Sequence, residues 1–335
     1  MKRLKLNLLV LILVTLLLVG AAGKISWREA LALASGARYE FIAAAVGITI
    51  ARFLLWSLKW LLLIRPLAKG VRFSRIFVIL LAGLFVSTST PGANVGGEPL
   101  RAYYLAKEAR IKKSAAMATV MMDKAGNYTA FFIFSLASIF LLWLFLEIPP
   151  ALKFLGEVLL FIIALAALSS TYLRRSEAAQ AKVLRFVYHL PPLEMLRRRF
   201  SSYAAFESFV SSRFELFLRT LRELSTQRRA LVANLLLSFA IWLTSYIKTY
   251  LVFLALGVNA SLLLVTAVKT VAILVGMASF LPGGMGATEA TMVALFAGAG
   301  IEGSVALAGI LLSRAIYYFF ALGLGYACLL CLRLH

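Results

Sequence analysis

Leu281-Pro-Gly-Gly-Met-Gly-Ala-Thr-Glu289 interrupts a long apolar run, and a stretch of the same kind lies earlier in the chain, at Thr90-Pro-Gly-Ala-Asn-Val-Gly-Gly-Glu98-Pro-Leu-Arg101. In both copies Pro-Gly ends the apolar run, more glycines follow, and a Glu stands seven positions after the Pro. Proline removes a backbone donor and glycine admits φ/ψ values that other residues avoid, so each copy breaks a helix. Broken backbone at membrane depth persists only where protein surrounds it or where it lines a cavity. Two such breaks in corresponding halves of a chain point to a transporter-type binding site.

Composition sets the setting. The chain has 335 residues, of which 62% are hydrophobic, with a mean hydropathy of +0.92. Apolar stretches of roughly 20 residues recur, the length that crosses a hydrocarbon core of about 30 Å. No alternating strand pattern suggests a barrel. The expected class is an all-α polytopic membrane protein. The formal charge of +21 matters through its placement, because Lys and Arg collect in cytoplasmic loops and near anionic headgroups. Nucleic acid is therefore not expected as a partner. Cys328 and Cys331 lie in the last apolar run, and the only histidines are His189 and His335. The two cysteines read as small buried residues, and no metal site and no cofactor are expected.

In chain order, Leu6 to Ala22 reads as an uncleaved first helix, and residues 23–39 as a mixed loop. A second span covers Phe41 to Ile64 and carries Arg52 and Lys59 on one helical face. The segment from Ile76 to Ser89 is short for a crossing and has basic loops on both sides, so it reads as one arm of a hairpin entering from the cytoplasm. Ala115 to Leu146 crosses outward and Leu152 to Tyr172 returns. Residues 173–229, with Phe200, Tyr203, Phe206, Phe209 and Phe214 among Arg and Glu, read as an amphipathic cytoplasmic segment. Leu231 to Leu256 crosses again; the second broken segment follows, and Val305 to Leu332 closes the chain. The loops flanking that second break carry almost no Lys or Arg, which places its entry on the opposite face.

The two copies align at an offset of 191 for Pro91/Pro282, Gly92/Gly283 and Glu98/Glu289. The offset becomes 190 for Ser114/Ser304, Ala118/Ala308, Lys124/Arg314 and Tyr128/Tyr318. Opposite insertion of two related segments is an inverted repeat, whose interface lies near the bilayer midplane. The expectation is a single membrane domain over 1–335, with about six spanning helices and two Pro-Gly-broken re-entrant hairpins. Repeat 1 covers about 41–172 with its hairpin at 76–108, and repeat 2 covers about 230–333 with its hairpin at 262–300. Both termini are expected in the cytoplasm, and the protein in the cell membrane.

Several groups carry the chemistry. Glu98-Pro99 reads as a helix start, where free N–H groups of the glycine-rich turn favour an anion. Arg101, one turn on, either pairs with Glu98 or grips a phosphate. Asp123 and Lys124 sit inside a span, where ionisable residues face an interior and have partners. Arg314 holds the matching place in the second half, and Glu289 is the natural partner of Lys124 or Arg314. No Ser/His/Asp set, Walker-type phosphate loop or metal cluster is present, which favours a non-enzymatic role.

At these motifs the sequence resembles the membrane region of lysylphosphatidylglycerol synthases, a flippase-like family. The similar residues are Pro91-Gly92, Gly97-Glu98 and Arg101; Asp123-Lys124 and Asn127; Pro282-Gly283-Gly284, Gly286 and Glu289; and Arg314. The resemblance runs over about residues 5–332. Where the family shows Glu-Arg with a later Asp, this chain has Asp123-Lys124 and Asn127, which keeps the charge order and loses the Arg fork. The resemblance implies that these residues form a substrate-binding site for a membrane lipid moved between leaflets. The lipid would be an anionic or aminoacylated phospholipid, or a polyprenyl-phosphate glycolipid. The alternatives are a subunit or partner of a polyprenyl-phosphate glycosyltransferase, or an enzyme using Asp123 or Glu98 as base. Membrane lipids, and a glycosyltransferase or lipid-modifying enzyme, are the expected partners.

Overall fold

The computed structural model describes residues 27–90, 96–145, 203–278, Gly284 and 286–334. The expected first helix, the returning span at 152–172 and Pro91, Gly92, Pro282 and Gly283 lie outside these residues. Every regular element among the described residues is helical: α1 (Trp27–Ser35), α2 (Tyr39–Ile64), α3 (Phe73–Ser89), α4 (Glu98–Ala109), α5 (Lys113–Phe145), α6 (Tyr203–Thr226), α7 (Arg228–Ala255), α8 (Leu262–Ala278), α9 (Ala287–Gly298), α10 (Gly303–Tyr318), a π-helical segment (Phe319–Leu324) and α11 (Gly325–Leu334).

The chain divides into two compact units, Met1–Ile148 with Glu223–His335, and Pro149–Arg222. In the second unit the described residues belong to α6. Everything below concerns the first.

Among the described residues, three helices are long and apolar enough to cross a bilayer: α2, α7 and the continuous run Gly303–Leu334. The 33 residues of α5 extend about 50 Å at 1.5 Å per residue. By contrast α3, α8 and α9 are apolar but short. Leu236, Leu263 and Phe319 point outward and stay more than half exposed, the arrangement lipid tails accept. In such surroundings packing and interhelical hydrogen bonds, rather than water exclusion, hold helices together.

The packing pattern is reciprocal. The helices before each break, α2 and α7, lie against one another. Within each copy the arms meet, α3 on α4 and α8 on α9. Between copies they are exchanged: α8 packs along α5 of the first copy, while α3 packs along the π segment and α11 of the second. Trp60, Ile76, Leu80, Leu105 and Leu329 make the apolar core where α2, α3, α4 and α11 converge.

Two glycines explain how closely the arms approach. A Cβ on Gly97 would come within 1.9 Å of the Gly83 carbonyl oxygen. Gly284 has φ +65° and stands against Gly276, with a Cβ there 3.0 Å from the Gly276 Cα. The first position forbids any side chain for lack of space; the second also requires left-handed backbone.

Three expectations are corrected. Residues 23–39 are not simply a loop, since the run of helix formers Arg28-Glu-Ala-Leu-Ala-Leu-Ala forms α1, which packs on α10. The last helix is not uniform, because Phe319–Leu324 adopts the wider π form that often marks a functional segment. Of the two cysteines expected as buried, Cys328 is buried and Cys331 is exposed.

Candidate functional site

The α4 helix starts at Glu98 with Gly97 as its cap. One Glu98 oxygen accepts from the Gly96 amide at 2.8 Å, and the other forms an ion pair with Lys124 of α5. The Gly97 amide donates to Ser87 Oγ at 2.9 Å. In the second copy Glu289 does the same work. Its Oε2 accepts from the Gly286 amide at 2.8 Å, and its Oε1 lies 2.6 Å from Arg314 Nη1. Lys124 and Arg314 each sit near an aromatic ring one turn on, Tyr128 at 5.8 Å and Tyr318 at 5.9 Å. Each glutamate thus ties its own turn to the following long helix.

These contacts correct the sequence reading twice. The turn amides of Gly96, Gly97 and Gly286 are taken by the chain's own Glu98, Ser87 and Glu289 side chains, so they do not stand open to an anion. Arg101 does not pair with Glu98. Its guanidinium lies 2.8 Å from Asp123 Oδ2 and covers the Trp60 ring at 4.1 Å.

Asp123 is the centre of a buried network. Lys59 Nζ lies 3.0 Å from its Oδ1 and donates to its backbone carbonyl at 3.1 Å. The Trp56 indole N–H donates to Oδ2 at 3.2 Å. One carboxylate therefore faces two basic groups, both buried. Such a cluster contributes little net stability, because desolvation offsets the Coulomb gain, but removing one member is costly.

Between the copies lies a cavity of about 260 Å³. It is lined by residues of α2 to α5 and α7 to α10, among them six basic side chains: Arg52, Arg101, Lys124, Lys248, Lys269 and Arg314. Asp123, Glu98 and Glu289 pair with Arg101, Lys124 and Arg314. Arg52, Lys248 and Lys269 have no carboxylate partner among the described residues. They rest on neutral acceptors instead. Lys269 Nζ donates to Ser245 O at 2.6 Å, Ser245 Oγ at 2.9 Å and Thr249 Oγ1 at 2.7 Å. Arg52 Nη1 donates to the same Ser245 Oγ at 3.1 Å, and Lys248 Nζ to Ser313 O at 2.5 Å. The lining of the cavity thus holds more basic side chains than carboxylates.

Of the residues singled out in the sequence, Glu98, Arg101, Lys124, Asn127, Gly284 and Arg314 line this cavity. Asn127 Oδ1 is buried there without a hydrogen bond, while its backbone carbonyl accepts from Trp242 at 3.0 Å. Asp123 and Glu289 stand behind the wall and hold lining residues in place, and Gly97 and Gly286 serve as helix caps. The site reading missed Arg52, Lys59, Lys248, Lys269 and the hydroxyls Ser245, Thr249 and Ser313. The signal for the lysines was present, because an ionisable side chain inside an apolar span is a site candidate by default.

The transmembrane-region model of lysylphosphatidylglycerol synthases matches residues 6–325. A UPF0104 membrane protein of Methanothermobacter thermautotrophicus is 28% identical over 288 residues, covering 86% of this chain and 84% of the relative. One of Methanocaldococcus jannaschii is 28% identical over 297 residues, with 88% and 85% covered. One of Pyrococcus horikoshii is 26% identical over 328 residues, with 95% and 94% covered. Matched over nearly its whole length and built from apolar helices, the chain is an integral membrane protein that belongs to the lysylphosphatidylglycerol synthase transmembrane-region family.

Proposed function

We propose that this protein carries a lipid with an anionic headgroup from one leaflet to the other. The headgroup sits in the basic cavity while the tails remain in lipid. The observation that carries the reading is the cavity itself, a chamber among apolar helices whose lining holds six basic side chains and, of the carboxylates, Glu98. A headgroup crossing hydrocarbon unaided meets the full cost of desolvating its charge. Arg52, Lys248, Lys269 and Arg314 would replace its water.

The reciprocal packing of the two copies supports an inverted repeat, read as six spans and two re-entrant hairpins; the placement of Lys and Arg in the loops supports a cell-membrane setting with both ends in the cytoplasm. Rocking one copy against the other would open the cavity to each side in turn. The Glu98–Lys124 and Glu289–Arg314 pairs each lie within one copy, so they would keep each turn fixed to its neighbouring helix while the copies move.

The test is transbilayer movement of a fluorescent anionic phospholipid in proteoliposomes. Wild type should move it, and Arg314→Gln and Glu289→Gln should slow it roughly tenfold or more while remaining folded. Absence of movement for every anionic lipid tried, with protein correctly inserted, would sink the reading.

A further inference from the structure

The two halves handle one lysine differently. In the first, Lys59 of α2 donates to the backbone carbonyl of Asp123 and pairs with its carboxylate. In the second, Lys248 of α7 donates to the backbone carbonyl of Ser313. Ser313 stands 190 positions after Asp123, the offset that also relates Lys124 to Arg314. The lysine-to-carbonyl contact is thus repeated, but the second half has a hydroxyl where the first has a carboxylate.

Around that hydroxyl the basic groups gather. Ser313 Oγ is 3.0 Å from Thr249 Oγ1, which accepts from Lys269. Lys269 and Arg52 share Ser245 Oγ as acceptor, so one phosphate can accept from both. The Tyr317 ring lies 5.6 Å from the Arg52 guanidinium and 5.9 Å from Lys248 Nζ, which places those two on one aromatic wall. Arg52 Nε is buried and makes no hydrogen bond. Lys248 and Lys269 are 5% and 9% exposed, so neither is a solvated surface charge.

We infer that a phosphate monoester takes, in the second half, the place that the Asp123 carboxylate takes in the first, held by Arg52, Lys248 and Lys269. Three donors on three helices match three free oxygens and a charge between −1 and −2. A phosphodiester offers two oxygens and one charge. An aminoacylated phospholipid head brings its own ammonium into a chamber already rich in basic groups, and is the poorest fit. The inference rests on the lipid reading above only in that the phosphate arrives on a lipid; the site itself would also hold a soluble phosphate monoester.

The experiment is binding and thermal unfolding of the purified full chain in phosphatidylcholine nanodiscs. The probes are phosphatidic acid, phosphatidylglycerol, lysylphosphatidylglycerol and glycerol 3-phosphate. Phosphatidic acid should bind roughly tenfold tighter than phosphatidylglycerol, with lysylphosphatidylglycerol weakest. Glycerol 3-phosphate binding as well as phosphatidic acid would assign the site to soluble phosphate; much weaker binding would assign it to a lipid. Ser313→Asp supplies the missing carboxylate internally, so it should melt higher than wild type without ligand and lose the monoester preference. Ser313→Asn, of the same size and uncharged, should keep that preference, and Lys269→Met should lose it without melting lower. A preference that survives Ser313→Asp, or equal binding of the monoester and the diester by wild type, overturns the inference. The proteoliposome movement assay, set beside these binding data, separates the two claims. Lipid movement without monoester preference leaves transport standing and removes the site, whereas monoester binding without movement of any lipid does the reverse.

Discussion

Glu289 and Arg314 meet at 2.6 Å, twenty-five residues apart, in the same relation that joins Glu98 to Lys124 in the first copy. Each glutamate also caps its own broken turn, through Gly286 and Gly96. A sequence repeat is thereby realised as a repeated mechanical tie between a turn and a long helix.

Loss of either tie should loosen its turn. Glu98→Gln and Glu289→Gln keep an oxygen for the cap but lose the ion pair, leaving a basic group in a semi-enclosed place. The cost lies between that of a surface pair and a buried one, about 1–3 kcal/mol. Glu98 is the more enclosed of the two, so Glu98→Gln should be the more destabilising. Thermal unfolding in mild detergent orders the two variants. Recovery of part of the loss by the swap Glu98→Lys with Lys124→Glu would show that the pair, and not the individual residues, carries the effect.

The Asp123 network predicts a strong asymmetry between halves. Asp123→Asn leaves Lys59 and Arg101 buried without a counter-charge and should cost about 3–5 kcal/mol. The corresponding change in the second half, Ser313→Ala, removes one neutral hydrogen bond to Thr249 and should cost about 1 kcal/mol. Equilibrium denaturation of both variants gives the comparison; similar losses would mean that the first network is not the structural one.

How much of this was legible in the sequence depends on the range of the signal. The helix limits were readable to within a few residues because Pro-Gly punctuation and apolar length are local. Glu98, Glu289, Lys124 and Arg314 were found because the repeat aligned them. The partner of Arg101 was not. Spacing along one helix offers Glu98 three residues away, whereas the true partner, Asp123, comes from another helix. Lys248 and Lys269 were visible as charges inside spans, but their lack of a carboxylate depends on which side chain faces them across α7, α8 and α10. That is a fact of register between helices, which no local pattern encodes. The α1 helix was missed because its charged residues outweighed the helix-forming alanines and leucines beside them.

Close approach of α3 and the start of α4 makes Gly97 unforgiving. Gly97→Ala drives a methyl into the Gly83 carbonyl, which is backbone and cannot rotate away, so the arms must separate. Overpacking of that kind costs about 1–3 kcal/mol. The control is Gly47→Ala on the exposed side of α2, where a Cβ meets nothing within 4 Å. There the change should stabilise the helix by roughly 0.5–1 kcal/mol. Opposite shifts in melting temperature for the two variants are the expected result, and equal shifts would show that the approach of Gly97 to Gly83 does not constrain the fold.

Trp242 offers a direct view of the cavity. Its indole donates to Asn127 O, its ring packs on Phe131 at 4.6 Å, and the Arg52 guanidinium lies 6.0 Å from its centroid. An anion drawing Arg52 toward itself changes the electrostatic field at this ring. Addition of phosphatidic acid to the protein in phosphatidylcholine nanodiscs should therefore shift or quench tryptophan emission, and Trp242→Phe should abolish most of that response. Trp60, fully buried and hydrogen-bonded to Thr119 at 3.2 Å, does not line the cavity, so Trp60→Phe should leave the response in place. A response carried by Trp60 instead would move the bound charge toward Arg101 and Asp123, and so into the first half of the fold.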